Sequence, residues 1–263
     1  MQWEDTGILL KKQKFGEKNH IFVFLTKTHG KHAGLYRGKT SLPESGEHIK
    51  LNWKARLQDH LGEWSGIERQ QRSPLMHIFG HTGKLYALSS ALSLTEKTLA
   101  ERDAHPILYE YLVTFIKDLQ TEDTSWILAY ISYEISLLRE IGFGMDLSKC
   151  AVTGNTENLA FVSPKTGHAV TRQGGEGYLD RLLPLPSFMR DLDLSRAETS
   201  SVFPEPLHLQ EAFALTKHFL EKYVASCNPS SFKNDLPPYR MLLVNWIETL
   251  RQRTEVTPKN WTM

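Results

Sequence analysis

Lysine and arginine crowd one stretch of this chain. Between Lys11 and Arg56 stand Lys11, Lys12, Lys14, Lys18, Lys27, Lys31, Arg37, Lys39, Lys50, Lys54 and Arg56, opposed only by Glu17, Glu44 and Glu47. That stretch is net +8 in a chain whose total is +1, so the remainder carries about −7. Cations at this density neutralise phosphates, and aromatic rings set among them stack on bases. Phe15, Phe24, Tyr36 and Trp53 are interleaved in this way. Phe24 and Trp53 fall on the apolar side of their segments and are expected in a core. Tyr36, between Gly34 and Gly38 beside Arg37, is expected to be more open. One strongly positive module in a near-neutral protein points to a polyanion held at one end. The expected phosphate contacts are Lys11, Lys12, Lys14, Lys31, Arg37, Lys39, Lys54 and Arg56, with Tyr36 as a stacking ring.

Other chemistry finds little support. His29-Gly-Lys-His32 has no carboxylate or cysteine near enough to complete a familiar metal spacing. GxSxG, GxxxxGK[ST] and HExxH are absent, and no GxGxxG opens a helix. Gly142-Phe-Gly144 follows a helical pattern and reads as its stop, while Asp191 and Asp193 read as solvated. No enzymatic activity is expected. A structural zinc would need CxxC twice, but only Cys150 is present, with Thr153 where its partner would stand. Thr171-Arg-Gln-Gly174 occupies the corresponding downstream stretch, and one thiolate cannot hold a tetrahedral site. Packing through Phe161, Val162 and Val170 is expected to hold that segment instead.

The elements that must position these residues are legible in the hydrophobic period. Gly7 to Phe15, Asn19 to Thr26 and Ile49 to Leu57 read as strands. In the last of these, Ile49, Leu51, Trp53 and Ala55 alternate with Lys50, Asn52, Lys54 and Arg56. Glycines at 16, 30, 34, 38 and 46 supply turns and bulges, so a small barrel or sandwich is expected. Beyond His81 the period becomes helical over Lys84 to Leu99, Pro106 to Leu119, Ser125 to Ile141, Leu207 to Ser226 and Pro238 to Arg253. The change falls near residues 78 to 84. Between the helical blocks lies a Gly, Ser, Thr and Pro-rich segment, 142–185, that reads as irregular.

Composition agrees with an ordinary globular protein, at 263 residues with 40% hydrophobic and 23% charged residues. No apolar run approaches the ~20 residues of a membrane span. The opening MQWEDTGILL does not resemble a secretory signal. Two cysteines, Cys150 and Cys227, suit a reducing compartment, so a cytoplasmic location is expected.

With these residues in view, the chain resembles the RecO family of bacterial recombination mediators. The resemblance is carried by Trp3-Glu-Asp-Thr-Gly-Ile-Leu-Leu10, by Lys14-Phe-Gly-Glu17 and by the run from Leu25 to Lys39. It continues through Tyr133 to Gly144, then Asp146-Leu and Cys150, Ala212 to Leu220, and Pro238 to Leu250 around Arg240. It implies an α+β, multi-domain chain: an N-terminal OB-fold β-barrel over 1–80, then an all-α domain over 81–263 with the irregular insertion at 142–185. It also implies binding of single- and double-stranded DNA and annealing of complementary strands. RecR and the C-terminal tail of single-stranded DNA-binding protein are the implied partners, together helping to load RecA at the nucleoid. Many members carry four cysteines after the third helix, and this chain keeps Cys150 alone, so no zinc is expected. An acidic tail ending in an apolar residue needs an apolar pocket rimmed by cations, for which Lys217 and Arg240 are the candidates. The competing readings are a non-catalytic adaptor whose barrel contacts an acidic partner and, more weakly, a nuclease.

Overall fold

The computed structural model describes residues 1–38, 42–57, 60–192, 203–227 and 236–256. Five strands open the chain: β1 (Gln2–Phe15), β2 (Asn19–Thr26), β3 (Gly30–Tyr36), β4 (His48–Lys54) and β5 (Gly62–Arg69). They close into a barrel in the order β1-β2-β3-β5-β4, with β4 returning to pair with β1. All pairings are antiparallel except β3 with β5. This is the five-stranded OB arrangement. β1 is long enough to serve two neighbours because a bulge between Leu9 and Lys11 bends it, its first half pairing with β4 and its second with β2.

Alternation puts Leu9, Phe22, Phe24, Ile49, Leu51, Trp53 and Trp64 inside the barrel. Closure depends on two glycines that face each other where β3 meets β5, Gly34 and Gly62. A Cβ on Gly62 would lie 2.0 Å from the Trp53 indole, and one on Gly34 would lie 2.6 Å from Trp64 Nε1. The indoles cross the bare backbone there, and each N–H is satisfied: Trp53 donates to the Ala33 carbonyl at 3.3 Å and Trp64 to that of Phe22 at 3.1 Å.

Helices follow: α1 (Leu75–Ile78), α2 (Thr82–Thr98), α3 (Pro106–Asp118) and α4 (Trp126–Glu140). The change from strand to helix falls where the hydrophobic period changes. The first compact unit nevertheless runs on to Trp126, because α2 and α3 stay with the barrel. α2 lies against β1 and β2. Tyr109 on α3 bridges to the barrel by a 2.7 Å hydrogen bond with His48 and a 3.1 Å donation to Thr6.

The second unit comprises residues 127–263. It holds most of α4, then α5 (Phe188–Asp191), α6 (Pro206–Cys227) and α7 (Pro238–Val256). The 142–185 segment is more ordered than its composition suggests. β6 (Leu159–Val162) is the centre of a three-stranded antiparallel sheet, flanked by β7 (Ala169–Thr171) and β8 (Leu183–Pro184). Val162 and Val170 are buried, whereas Phe161 is half-buried with the Arg172 guanidinium 5.6 Å from its ring centre.

Candidate nucleic-acid interface

The basic residues of the barrel fall into two groups once their neighbours are in place. In the first, each cation is engaged by a neighbour, in most cases an acid. Lys11 pairs with Glu96 on α2 at 3.0 Å, Lys12 with Glu44 at 3.0 Å, and Arg37 with Glu63 on β5 at 3.2 Å. Lys27 and Lys50, in the same stretch, meet Glu110 and Glu4 at 2.7 and 2.6 Å. Lys31 is half-buried and donates to the Glu96 carbonyl at 2.6 Å, and burial holds its pKa below the ordinary lysine value although Glu96 and Glu101 oppose that. Glu4, Glu63, Glu96 and Glu110 all lie outside the Lys11 to Arg56 stretch. The net +8 of that stretch therefore overstates the free positive charge on the barrel surface. Exposed pairs of this kind are worth about 0–1 kcal/mol, so Arg37, which stays largely solvated, remains available to a ligand.

In the second group, Lys14, Lys54 and Arg56 are exposed and make no ion pair among the described residues. Lys18, in the β1–β2 turn, is exposed likewise. Lys39 lies outside the described residues. Strand register places the second group along one rim. Lys14 is opposite His20, and His20 opposite Tyr36, across β1, β2 and β3. Leu35 is opposite Glu63, and Glu63 opposite Lys54, across β3, β5 and β4. Lys14 and Lys54 are thus four strand spacings apart, about 19 Å around the barrel wall. Arg37 stands between them, and Arg56 continues from β4 into the β4–β5 loop. The β1–β2 and β4–β5 loops are the two that OB barrels use for oligonucleotides.

The aromatic residues divide as sharply. Phe24 and Trp53 are core. Tyr36 is half-buried, with its ring stacked 5.0 Å from that of Phe22 and the Gly38 backbone lying across it. It is less open than its glycine neighbours suggest, because those glycines let the backbone close over the ring. Phe15, at the end of β1, is 52% exposed, and Leu57 and Leu61 in the β4–β5 loop are exposed as well.

The helical unit corrects one expectation directly. Arg240 is 2% exposed and cannot rim a surface pocket. Its guanidinium forks onto Glu134 at 2.7 and 3.0 Å, and donates to the Phe213 carbonyl and the Thr216 hydroxyl, both at 3.0 Å. Glu134, itself fully buried, also accepts from Tyr130 at 2.8 Å and from Thr216 at 2.6 Å. Burial alone would depress the Arg240 pKa, but Glu134 outweighs it and the group is held charged. This network joins α4, α6 and α7. Lys217, by contrast, is exposed on α6 with Glu221 one turn away at 3.6 Å. The two do not form a common cationic rim.

Positions 150, 153, 171 and 174 do converge, as a four-ligand knuckle would require. The Cys150 sulfur accepts from the backbone N–H of Thr153 at 3.4 Å and of Thr171 at 3.3 Å. The Thr171 hydroxyl lies 3.5 Å from that sulfur and accepts from Gly174 N–H at 3.0 Å. The donor set is one thiol, two hydroxyls and a glycine, which does not fit zinc. No group of three or more His, Cys, Asp or Glu side chains among the described residues is placed to hold a metal. Burial opposes ionisation of Cys150, but the donors from Thr153 and Thr171 prevail and bring the thiol from 9.0 to about 6.

Comparison with known proteins accounts for both units. The family described as "Recombination protein O N terminal" matches residues 1–68, and "Recombination protein O C terminal" matches 82–231. The chain is 40% identical over 233 residues to the DNA repair protein RecO of Dinoroseobacter shibae, covering 86% of this chain and 90% of that one. It is 36% identical over 266 residues to the RecO of Rhodospirillum centenum, covering 98% and 99%. With the RecO of Wolbachia pipientis wMel it shares 37% identity over 233 residues, covering 85% and 92%.

Proposed function

The chain belongs to the RecO family of DNA repair proteins, and we propose that its part in repair is non-catalytic: it binds single- and double-stranded DNA and anneals complementary strands. The observation that carries this reading is the rim on which Lys14, Lys54 and Arg56 stand exposed and without ion-pair partners among the described residues, beside the β1–β2 and β4–β5 loops of an OB barrel. Annealing needs no catalytic residue. Two strands repel through their phosphates, and a cationic rim that holds both lowers the cost of encounter and raises their effective concentration. Contacts of this kind are salt-screened and individually weak, so binding stays reversible while bases search for register.

We further propose that the protein acts in the cytoplasm, at the nucleoid, and helps load RecA, together with RecR, onto strands coated by single-stranded DNA-binding protein. The acidic tail of that protein is the proposed handle. Its dock is not at Arg240, whose guanidinium is committed to Glu134. Among the described residues no helix is long and apolar enough to cross a membrane, which suits this role. The chain is proposed to work without zinc, since hydrogen bonds from Thr153 and Thr171 hold Cys150 where a metal would otherwise be needed.

The deciding experiment is strand annealing of complementary oligonucleotides, with and without single-stranded DNA-binding protein, alongside binding anisotropy across a salt series. Accelerated annealing and an affinity that falls steeply with salt are expected. Negligible DNA affinity at moderate salt would sink the reading in favour of a protein-binding adaptor, and cleavage on adding Mg²⁺ would indicate a nuclease.

A further inference from the structure

We propose that Phe15 is a base-stacking residue that gives the β1–β2 hairpin a preference for unpaired bases. The proposal rests on the DNA-binding reading above and assigns one side chain a part in it. Phe15 closes β1 opposite Asn19, directly before Gly16, whose φ of +67° turns the chain. Nothing lies within 4 Å of a Cβ built on Gly16, so the turn stands clear of the barrel. Every other aromatic ring of the barrel strands is buried or half-buried: Trp3, Phe22, Phe24, Tyr36, Trp53 and Trp64 all pack into or against the core. Phe15 is 52% exposed and takes no part in that core. Lys14 and Lys18 flank it, both exposed and without ion-pair partners among the described residues, and the turn's one carboxylate is Glu17.

A flat ring between two exposed cations has two distinct things to offer a strand. The ammonium groups meet phosphates of any nucleic acid. The ring meets only the face of a base, and in a duplex those faces are covered by the neighbouring pairs, whereas in a single strand they are open. The cations therefore contribute to both forms, and Phe15 contributes to one.

Phe15 can be removed without harming the barrel, because its ring is outside the core. Phe15→Ala is expected to weaken binding to an oligothymidylate by ~5- to 150-fold. Duplex affinity should stay within about twofold. The salt dependence should keep its slope, since no phosphate contact is lost. Phe15→Trp should retain single-strand affinity, and Phe15→Leu, apolar but without a π face, should not. A loss on both forms alike, an unchanged single-strand affinity in Phe15→Ala, or full rescue by Phe15→Leu would each overturn the assignment. Failure of the underlying reading looks different: Lys14→Ala/Lys54→Ala/Arg56→Ala would then bind both forms as the unsubstituted protein does, with the same salt slope.

Discussion

In the barrel, Lys14, Lys54 and Arg56 stand in solvent with no ion-pair partner among the described residues, while in the helical unit Arg240 is sealed between α4, α6 and α7 with its guanidinium held by Glu134, Thr216 and the Phe213 carbonyl. The residue type is nearly the same and the consequences are opposite. An exposed cation costs little to keep and little to lose from the fold, so it is free to serve a ligand. A buried one is a structural commitment, because its desolvation is tolerable only while every partner is in place.

The largest expected effect breaks that contrast on the helical side. Arg240→Ala leaves the Glu134 carboxylate buried and unpaired, and should cost about 3–5 kcal/mol in urea unfolding. Replacing both partners, Glu134→Leu with Arg240→Met, should recover much of the loss, because apolar packing then stands in for the ion pair. If Arg240→Ala is as stable as the unsubstituted protein, the network is not the tie that its geometry indicates.

On the barrel side, the comparable weak point is a glycine rather than a charge. Gly62→Ala would push a methyl group into the Trp53 indole, which is packed on all sides and cannot swing away. Overpacking of this kind should cost about 2–3 kcal/mol, read as a lower unfolding midpoint. The same substitution at Gly16, whose Cβ would meet nothing, should show only the smaller penalty of its positive φ.

These elements also show what was legible in the residues alone. The alternation in Ile49, Leu51 and Trp53 announced a strand with a core face, and the later helices follow their apolar period closely. β3 and β5 were not legible, because Gly30, Gly34, Gly62 and Gly66 look like turns. Gly30 and Gly66 do take positive φ, but Gly34 and Gly62 are glycines for a different reason: there the indoles of Trp64 and Trp53 lie across the backbone. The same limit governs charge. The cations between Lys11 and Arg56 are plain in the sequence, but the acids that pair with several of them are Glu4, Glu63, Glu96 and Glu110, brought close only by folding. The burial of Arg240 is equally illegible, because Tyr239 and Met241, its exposed neighbours, say nothing of an enclosure that three helices create.

The sorting of barrel cations into paired and unpaired can be sharpened directly. Lys14→Ala/Lys54→Ala/Arg56→Ala should flatten the slope of log affinity against log salt by about 2 on single strands, if each side chain meets one phosphate. Stability should change by no more than about 0.5 kcal/mol per site. Lys11→Ala/Lys12→Ala removes cations already answered by Glu96 and Glu44, and should change the slope by less. Equal effects from the two sets would erase the distinction.

A last test concerns Cys150, a titrating group in the helical unit that hydrogen bonding pulls well below its ordinary value. Cys150 falls from 9.0 to about 6 in the folded chain, so folding favours its thiolate. The sign follows from proton binding: between pH 6 and pH 9 the unfolded thiol holds a proton that the folded group has released, and stability rises with pH across that window. The contribution is complete above the ordinary thiol value and is lost as pH falls through about 6. Cys150→Ser keeps a group of similar shape that does not titrate there. Urea midpoints of the two proteins should therefore converge near pH 6 and separate toward pH 9, with the unsubstituted protein gaining. Parallel profiles would mean that the N–H groups of Thr153 and Thr171 hold a thiol rather than a thiolate, leaving the segment to depend on its three-stranded sheet alone.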